Sequence, residues 1–301
     1  MRTFSVEPRG PFSLRAARQY FGGWLSPSDE PDAVLMAFPV EDWQSSAAVV
    51  LRQQEGVVSG DVHSAEDAAE AAWQQALAAL SLDFDGAGWP AVGERDRIIG
   101  RLQSEYEMMR PVCFSSPYEA ACHFVLGHRL SIAQARVLRA RLAAEHGDSV
   151  FGGHAFPRPQ VLLELESFGS LPAEKIERLH GIASAALSGQ LDRARLRSLP
   201  VDDAIAEMQT LRGVGPFIAA GIVLRGAGVA DAVPFDEVTQ QAAQRAYELD
   251  ALPTCAELLR IAEPWRPYRM WSSVLLHLWL RSGAAGSFRP VGARRPRRST
   301  T

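Results

Sequence analysis

Three short apolar runs, Ala33-Val-Leu-Met-Ala-Phe38, Ser46-Ala-Ala-Val-Val-Leu51 and Val57-Val-Ser-Gly-Asp-Val62, are divided by turn residues. Their length and β-favouring content predict strands. Ser64-Ala-Glu-Asp67 then reads as a helix start, with Ser64 placed to cap an alanine-rich helix through Leu82. Strands followed by a covering helix predict a small α+β domain over residues 1–90, and Asp83 to Gly93 reads as a linker. Beyond about residue 94 the apolar spacing turns helical. Ile132, Ala135, Leu138 and Leu142 share a helix face, with Arg136, Arg139 and Arg141 elsewhere on the wheel. Helices are predicted at 94–108, 117–126, 131–146, 158–166, 172–188, 202–211, 216–226, 237–248, 254–263 and 267–281, separated by short Gly, Pro and Ser clusters. The fold class is therefore mainly α behind a smaller mixed domain, with no repeat period.

Composition narrows the function classes. The apolar and charged fractions, 47% and 22%, are those of a globular protein. No apolar stretch approaches the roughly 18–20 residues needed to span a bilayer, and the first residues lack the apolar core of a signal peptide. A cytoplasmic protein is expected, with no membrane partner. Cys113, Cys122 and Cys255 are too few for a four-cysteine iron–sulfur site. The net charge of −4 is unevenly spread: residues 1–100 hold 15 Asp and Glu against 7 Arg, whereas six arginines and no acid follow from Arg281. Residues 287–301, with Arg294-Arg-Pro-Arg-Arg298, read as a disordered basic tail that adds salt-sensitive affinity for phosphates.

The candidate chemistry lies at residues 211–236. Gly213-Val-Gly215 is a tight turn with no side chain to block a close approach. Pro216 suits the first position of the following helix, and amide groups at that start can face a phosphate oxygen. Val214 is placed to pack inward between Leu211 and Ile218. The run Val233-Pro-Phe-Asp236 puts a carboxylate about one helix length later. Alone, Gly-x-Gly is a plain connection and Asp236 a helix N-cap; Asp231 reads as a structural cap or turn residue.

Taken together, Leu211-x-Gly-Val-Gly-Pro216, the small face Ala219-Ala-Gly221 and Val233-Pro-Phe-Asp236 resemble the helix–hairpin–helix–Gly-Pro-Asp superfamily of DNA glycosylases. Arg110-Pro, Gly127-His-Arg-Leu-Ser131, Phe156-Pro-Arg-Pro-Gln160, Trp265-Arg-Pro-Tyr268 and Leu275-Leu-His-Leu-Trp279 are similar to its bacterial 3-methyladenine DNA glycosylase II branch. The resemblance covers the chain except its arginine-rich end. It implies a two-lobed helical glycosylase domain over residues 91–286 with its hairpin at 211–216. It also implies a monomer acting on double-stranded DNA that contains a damaged base, near the nucleoid and without a cofactor. Asp236 is then the catalytic group, since breaking an N-glycosidic bond builds positive charge on the sugar that a fixed carboxylate stabilises.

Further residues carry over. Gly213, Val214 and Gly215 form the backbone-binding hairpin, and carbonyls of Gly213 and Gly215 are candidates to hold a monovalent cation. Relatives that also cleave the strand use a lysine two residues after the second glycine; here Phe217 stands there, and the only lysine, Lys175, lies elsewhere. Hydrolysis by water is expected, leaving an abasic site. Phe217 and Trp279 are candidates to stack on a cationic alkylated purine of the 3-methyladenine or 7-methylguanine type. Gly221 occupies the family's usual pocket tyrosine position, which implies a larger or reshaped pocket. Arg129, assisted by His128, is the candidate to fill the gap left by the flipped base. The alternatives are a non-enzymatic helix–hairpin–helix protein that binds damaged DNA, and a glycosylase for another lesion such as a deaminated purine.

Overall fold

The computed structural model describes residues 1–21, 26–27 and 33–283; the segment assigned to the basic tail, 287–301, lies outside them. Five antiparallel strands, β1 (Arg2–Val6), β2 (Ser26–Pro27), β3 (Val34–Pro39), β4 (Ser46–Gln54) and β5 (Val57–His63), form one sheet in the order β1-β5-β4-β3-β2. The first helix, α1 (Leu14–Phe21), is inserted before β2, and α2 (Ala69–Ala79) follows β5.

Strand β4 is apolar on successive residues because both of its faces are covered. Ala47, Val49 and Leu51 join the main core, whereas Ala48 and Val50 join a second cluster with Ala33 and Leu35. That second face is closed by a small hairpin of β6 (Ser149–Val150) and β7 (Gly153–His154), with Val150 packed against it. Sequence periodicity predicts neither this hairpin nor β1, whose short run is too polar to declare itself.

Several predicted boundaries move. Helix α2 begins five residues after Ser64, whose hydroxyl donates to the Ala65 carbonyl (2.8 Å) rather than capping an amide. Residues 83–93 are not a loose linker. Helix α3 (Trp89–Arg95) starts there with Trp89 wholly buried, and the Gly86 amide donates to the Arg9 carbonyl (2.9 Å). The single helix expected over 94–108 is broken at Asp96, whose backbone is extended and whose side-chain Oδ1 caps α4 (Arg97–Glu105) by accepting from the Ile98 and Ile99 amides. Its other carboxylate oxygen accepts from Tyr247 (2.6 Å) and Trp265 (2.8 Å). A helix through this point would withdraw the carboxylate from both.

The helical body continues with α5 (Pro117–Gly127), α6 (Ile132–His146), α7 (Pro159–Leu163), α8 (Ala173–Leu187), α9 (Arg193–Ser198) and α10 (Val201–Met208). After the glycine turn come α11 (Pro216–Gly221), a wider π turn at Ile222–Gly226, then α12 (Glu237–Ala246), α13 (Cys255–Ile261) and α14 (Arg269–Arg281). Asp231 is structural: it receives Arg266 (2.8 Å) and Arg269 (2.5 Å), pinning the start of α14.

One apolar core runs through the sheet and the helices. At their junction Arg110, 1% exposed, donates to the carbonyls of Pro11 (2.9 Å), Ser81 (3.0 Å), Phe84 (3.3 Å) and Arg9 (2.5 Å) and lies over Trp271. Those buried acceptors need a planar, multi-pronged donor. Arg110→Met is expected to lower unfolding free energy by at least about 3 kcal/mol, and Arg110→Lys to recover little of it, measured by urea denaturation.

Candidate active site

Asp236 sits at the N-cap of α12 in extended conformation. Its Oδ1 accepts from the Thr239 amide (2.8 Å) and the Thr239 hydroxyl (3.1 Å). The carboxylate also lines a cavity of about 150 Å³, below the roughly 300–1,000 Å³ of ordinary ligand pockets and suited to a single flat ring system. Phe124 of α5, Phe217 and Gly221 of α11, Arg225 of the π turn, and Met270, Ser273, Val274, His277 and Arg281 of α14 complete its wall. Among the described residues Asp236 is the only acid lining it, and no lysine does. N-cap and cavity wall are therefore one residue.

Two pocket expectations change. Trp279 does not line the cavity; it is buried in the core at 1% exposure. The reason is helical phase: residues 270, 273, 274, 277 and 281 form one stripe along α14, and 279 lies half a turn from it. His277, two residues earlier, faces the cavity instead. It lay inside the recognised Leu275–Trp279 run, but only the spacing from Asp236-facing neighbours distinguishes it from the tryptophan. Nor does Gly221 enlarge the pocket. A Cβ at 221 would meet Phe124 ring carbons at 2.5 Å, so the phenyl ring already occupies that space. Phe124 in turn meets Phe217 edge to face at 5.8 Å. Phe217 lines the cavity while remaining 58% exposed.

The polar groups are ordered. Thr239 is fully buried, and its hydroxyl contacts both Asp236 and His277 Nε2 (2.8 Å). The single hydroxyl proton goes to the carboxylate, which only accepts, so His277 donates from Nε2 and keeps Nδ1 as its acceptor. Burial, then the charges of Arg281 and Arg225, push the His277 pKa down to about 3. Burial and Arg225 also lower Arg281, against the pull of Asp236.

Gly213 has φ +81°, and a Cβ there would meet Arg178 of α8 at 2.5 Å. Val214 is buried, its amide donating to Leu211 (3.0 Å), while Gly213 and Gly215 are exposed. The Gly215 carbonyl accepts from Ala219 (2.9 Å). Among the described residues no His, Cys, Asp and Glu cluster could hold a metal ion, so a cation at this turn would rest on backbone carbonyls.

His128 and Arg129 are exposed at the tip of the α5–α6 loop, and Arg129 takes a left-handed φ of 65°, a conformation concentrated at functional loops. Lys175 secures this loop, donating to the carbonyls of Leu126 (2.8 Å) and His128 (3.1 Å). A recess of about 510 Å³ lined by Arg129 shares Phe124, Phe217, Arg225 and Arg281 with the Asp236 cavity. Loop tip and cavity are thus joined by one surface.

No family model matches the chain. It is 32% identical over 199 residues to DNA-3-methyladenine glycosylase 2 of Escherichia coli strain K12, covering 62% of this chain and 64% of that protein. It is 25% identical over 209 residues to the DNA-3-methyladenine glycosylase of Bacillus subtilis strain 168, covering 66% and 68%. These alignments thus span about two thirds of each relative. The solved 3-methyladenine DNA-glycosylase of Archaeoglobus fulgidus superposes with a TM-score of 0.74 at 17% identity, over 93% of this chain and 98% of that one. The fold is that of the helix–hairpin–helix DNA glycosylases. The named relatives are 3-methyladenine DNA glycosylases, and the chain is similar to them over these spans.

Two outcomes are expected from this geometry. Gly221→Ala drives Phe124 into the cavity and costs about 1–3 kcal/mol in stability; Phe124→Leu in the same chain restores much of it, read by thermal melting. His277 stays neutral in the fold down to about pH 3, whereas the unfolded chain takes up its proton near pH 6.5. The unfolded state binds more protons in that window, so stability falls as pH drops from 6.5 toward 3. Between pH 7 and pH 5 this residue should remove up to about 2 kcal/mol, and His277→Gln should flatten the urea midpoints by that amount.

Proposed function

We propose that the chain is a monofunctional DNA N-glycosylase of base excision repair that releases alkylated purines, of the 3-methyladenine or 7-methylguanine type, from double-stranded DNA. The observation that carries this reading is a single carboxylate, Asp236, held by an amide and a hydroxyl at the wall of a cavity of ring-system size. The 3-methyladenine glycosylases named among its relatives support the substrate class.

The flipped base enters between Phe124 and Phe217, whose rings attract a cationic purine. As the bond from C1′ to the base lengthens, its electron pair leaves with the base and positive charge builds on the sugar. Asp236 stabilises that charge through its ionised oxygens. Water then adds to C1′ and loses a proton, leaving an abasic site. Phe217 stands where a strand-cleaving relative carries its amine, and Lys175 is committed to the carbonyls of Leu126 and His128. Among the described residues no amine lines the cavity, which supports hydrolysis that leaves the backbone intact.

DNA is held by the Gly213–Gly215 turn, whose exposed backbone can approach a phosphate. A monovalent cation on its carbonyls would offset phosphate charge there. Arg129, with His128 beside it, is placed to enter the stack and fill the gap.

With duplexes bearing one methylated purine, Asp236→Asn is expected to slow base release about 10²–10³-fold while leaving DNA affinity within a few-fold. Borohydride should trap no covalent complex with the wild-type chain, and strands should break only after alkali. Base release that ignores the substitution would remove Asp236 from the chemistry, and a trapped complex would overturn the purely hydrolytic route.

A further inference from the structure

The loop that carries Arg129 has two flanks. His128, Arg129 and Leu130 line the recess of about 510 Å³ that continues into the Asp236 cavity. The same three residues line a separate recess of about 750 Å³, between α6 and the start of α8. The loop is fixed between the two. Lys175 donates to the Leu126 and His128 carbonyls, and a capping box closes the far end. In it the Ser131 amide donates to the Gln134 side chain (2.9 Å) and the Gln134 amide to the Ser131 hydroxyl (3.2 Å).

The larger recess combines two kinds of surface. Leu130, Val137, Leu138, Leu171 and Pro172 give it apolar walls, and Val137 is left 62% exposed. Arg129, Arg141, Lys175 and Arg178 set four cationic side chains against one acid, Glu174, among the described residues. Glu174 pairs with Arg178 (2.5 Å), and Arg141 pairs with Glu145 (3.2 Å) while lying over the Phe168 ring. The crowding of like charges shows at Lys175, whose pKa is lowered by burial first and then by Arg178 and Arg129. A bare phosphodiester has no use for the apolar walls, and an apolar peptide has none for the cations. One nucleotide uses both, its base against apolar surface and its phosphate against guanidinium groups. The volume lies within the range of ordinary ligand pockets.

A loop that enters the stack has the damaged strand on one flank and the undamaged strand on the other. On the function proposed above, the damaged nucleotide leaves on the flank facing Asp236. Its partner is then unpaired, and an unpaired base costs least to unstack. We propose that the recess between α6 and α8 receives the nucleotide opposite the lesion, so that both members of the broken pair are everted, one to either side of the Arg129 loop. This inference rests on the glycosylase reading above and extends it to the undamaged strand. The base exchanges its stacked neighbours for Val137, Leu138 and Leu171, and its phosphate meets Arg141 and Arg178. No covalent bond changes on that strand. Arg129 and His128, shared by both recesses, fill the space that the two nucleotides leave.

The test uses 2-aminopurine, whose fluorescence is quenched by stacking. One duplex holds it opposite a tetrahydrofuran abasic analogue, and a second holds it one step further along the same strand. Among the described residues no phenyl, phenol or indole ring lines the recess, so a base seated there stays unquenched. When the full chain saturates the duplex, the first probe should brighten about threefold or more and the second should not. Val137→Glu, at an exposed position, should remove at least half of that gain, and Val137→Leu should keep it. An opposite probe that does not brighten, equal brightening of both probes, or a gain that Val137→Glu leaves intact overturns the inference. Release of a methylated purine by the same preparation separates the two readings. Release with a dark probe overturns this inference alone, and no release overturns the glycosylase reading and this inference with it.

Discussion

A carboxylate beside an apolar recess must be held by donors that do not move, or it will turn toward water. Asp236 meets this need with the first turn of its own helix: the Thr239 amide and hydroxyl fix Oδ1, and the positive end of the helix favours its charge. The cavity wall, the helix start and the polar chain to His277 all follow from that placement. Its geometry is set before any substrate arrives, which is how electrostatic stabilisation avoids a reorganisation cost during reaction.

The rest of the wall shows how substitutions compensate one another. Glycine at 221 is not a vacancy, because Phe124 arrives from another helix and fills the space from the opposite side. The aromatic surface at this point is supplied by α5 rather than by residue 221. On α14 a histidine faces the cavity while the tryptophan two positions later packs into the core. A wall of phenyl rings, imidazole and guanidinium groups differs in charge from one made of aromatic rings alone.

Much of this was legible in the sequence where local chemistry is self-sufficient. The glycine turn, Val214 pointing inward and Asp236 at a helix start need only neighbours within a few residues, and β3, β4 and β5 announce themselves as apolar runs. What stayed hidden depends on distant partners. Asp96 breaks a helix because Tyr247 and Trp265 claim its carboxylate from some 150–170 residues away. Ser64 looks like a cap but spends its hydroxyl elsewhere, and the apparent linker at 83–93 is drawn into the core by Trp89. Phe124 carried no local sign of a pocket role. Trp279 carries over from the family resemblance, whereas helical phase turns His277 to the cavity in its place.

Helix α8 touches both surface elements that flank the cavity. Lys175 grips the carbonyls under the Arg129 loop, and Arg178, one turn on, lies over Gly213 of the hairpin. The two therefore share a rigid strut, and displacing one loads the other through a single turn of helix. On the function proposed above, probing between base pairs and gripping the sugar–phosphate rail would be one mechanical event, in which a scanning molecule that loosens its hold also withdraws its finger.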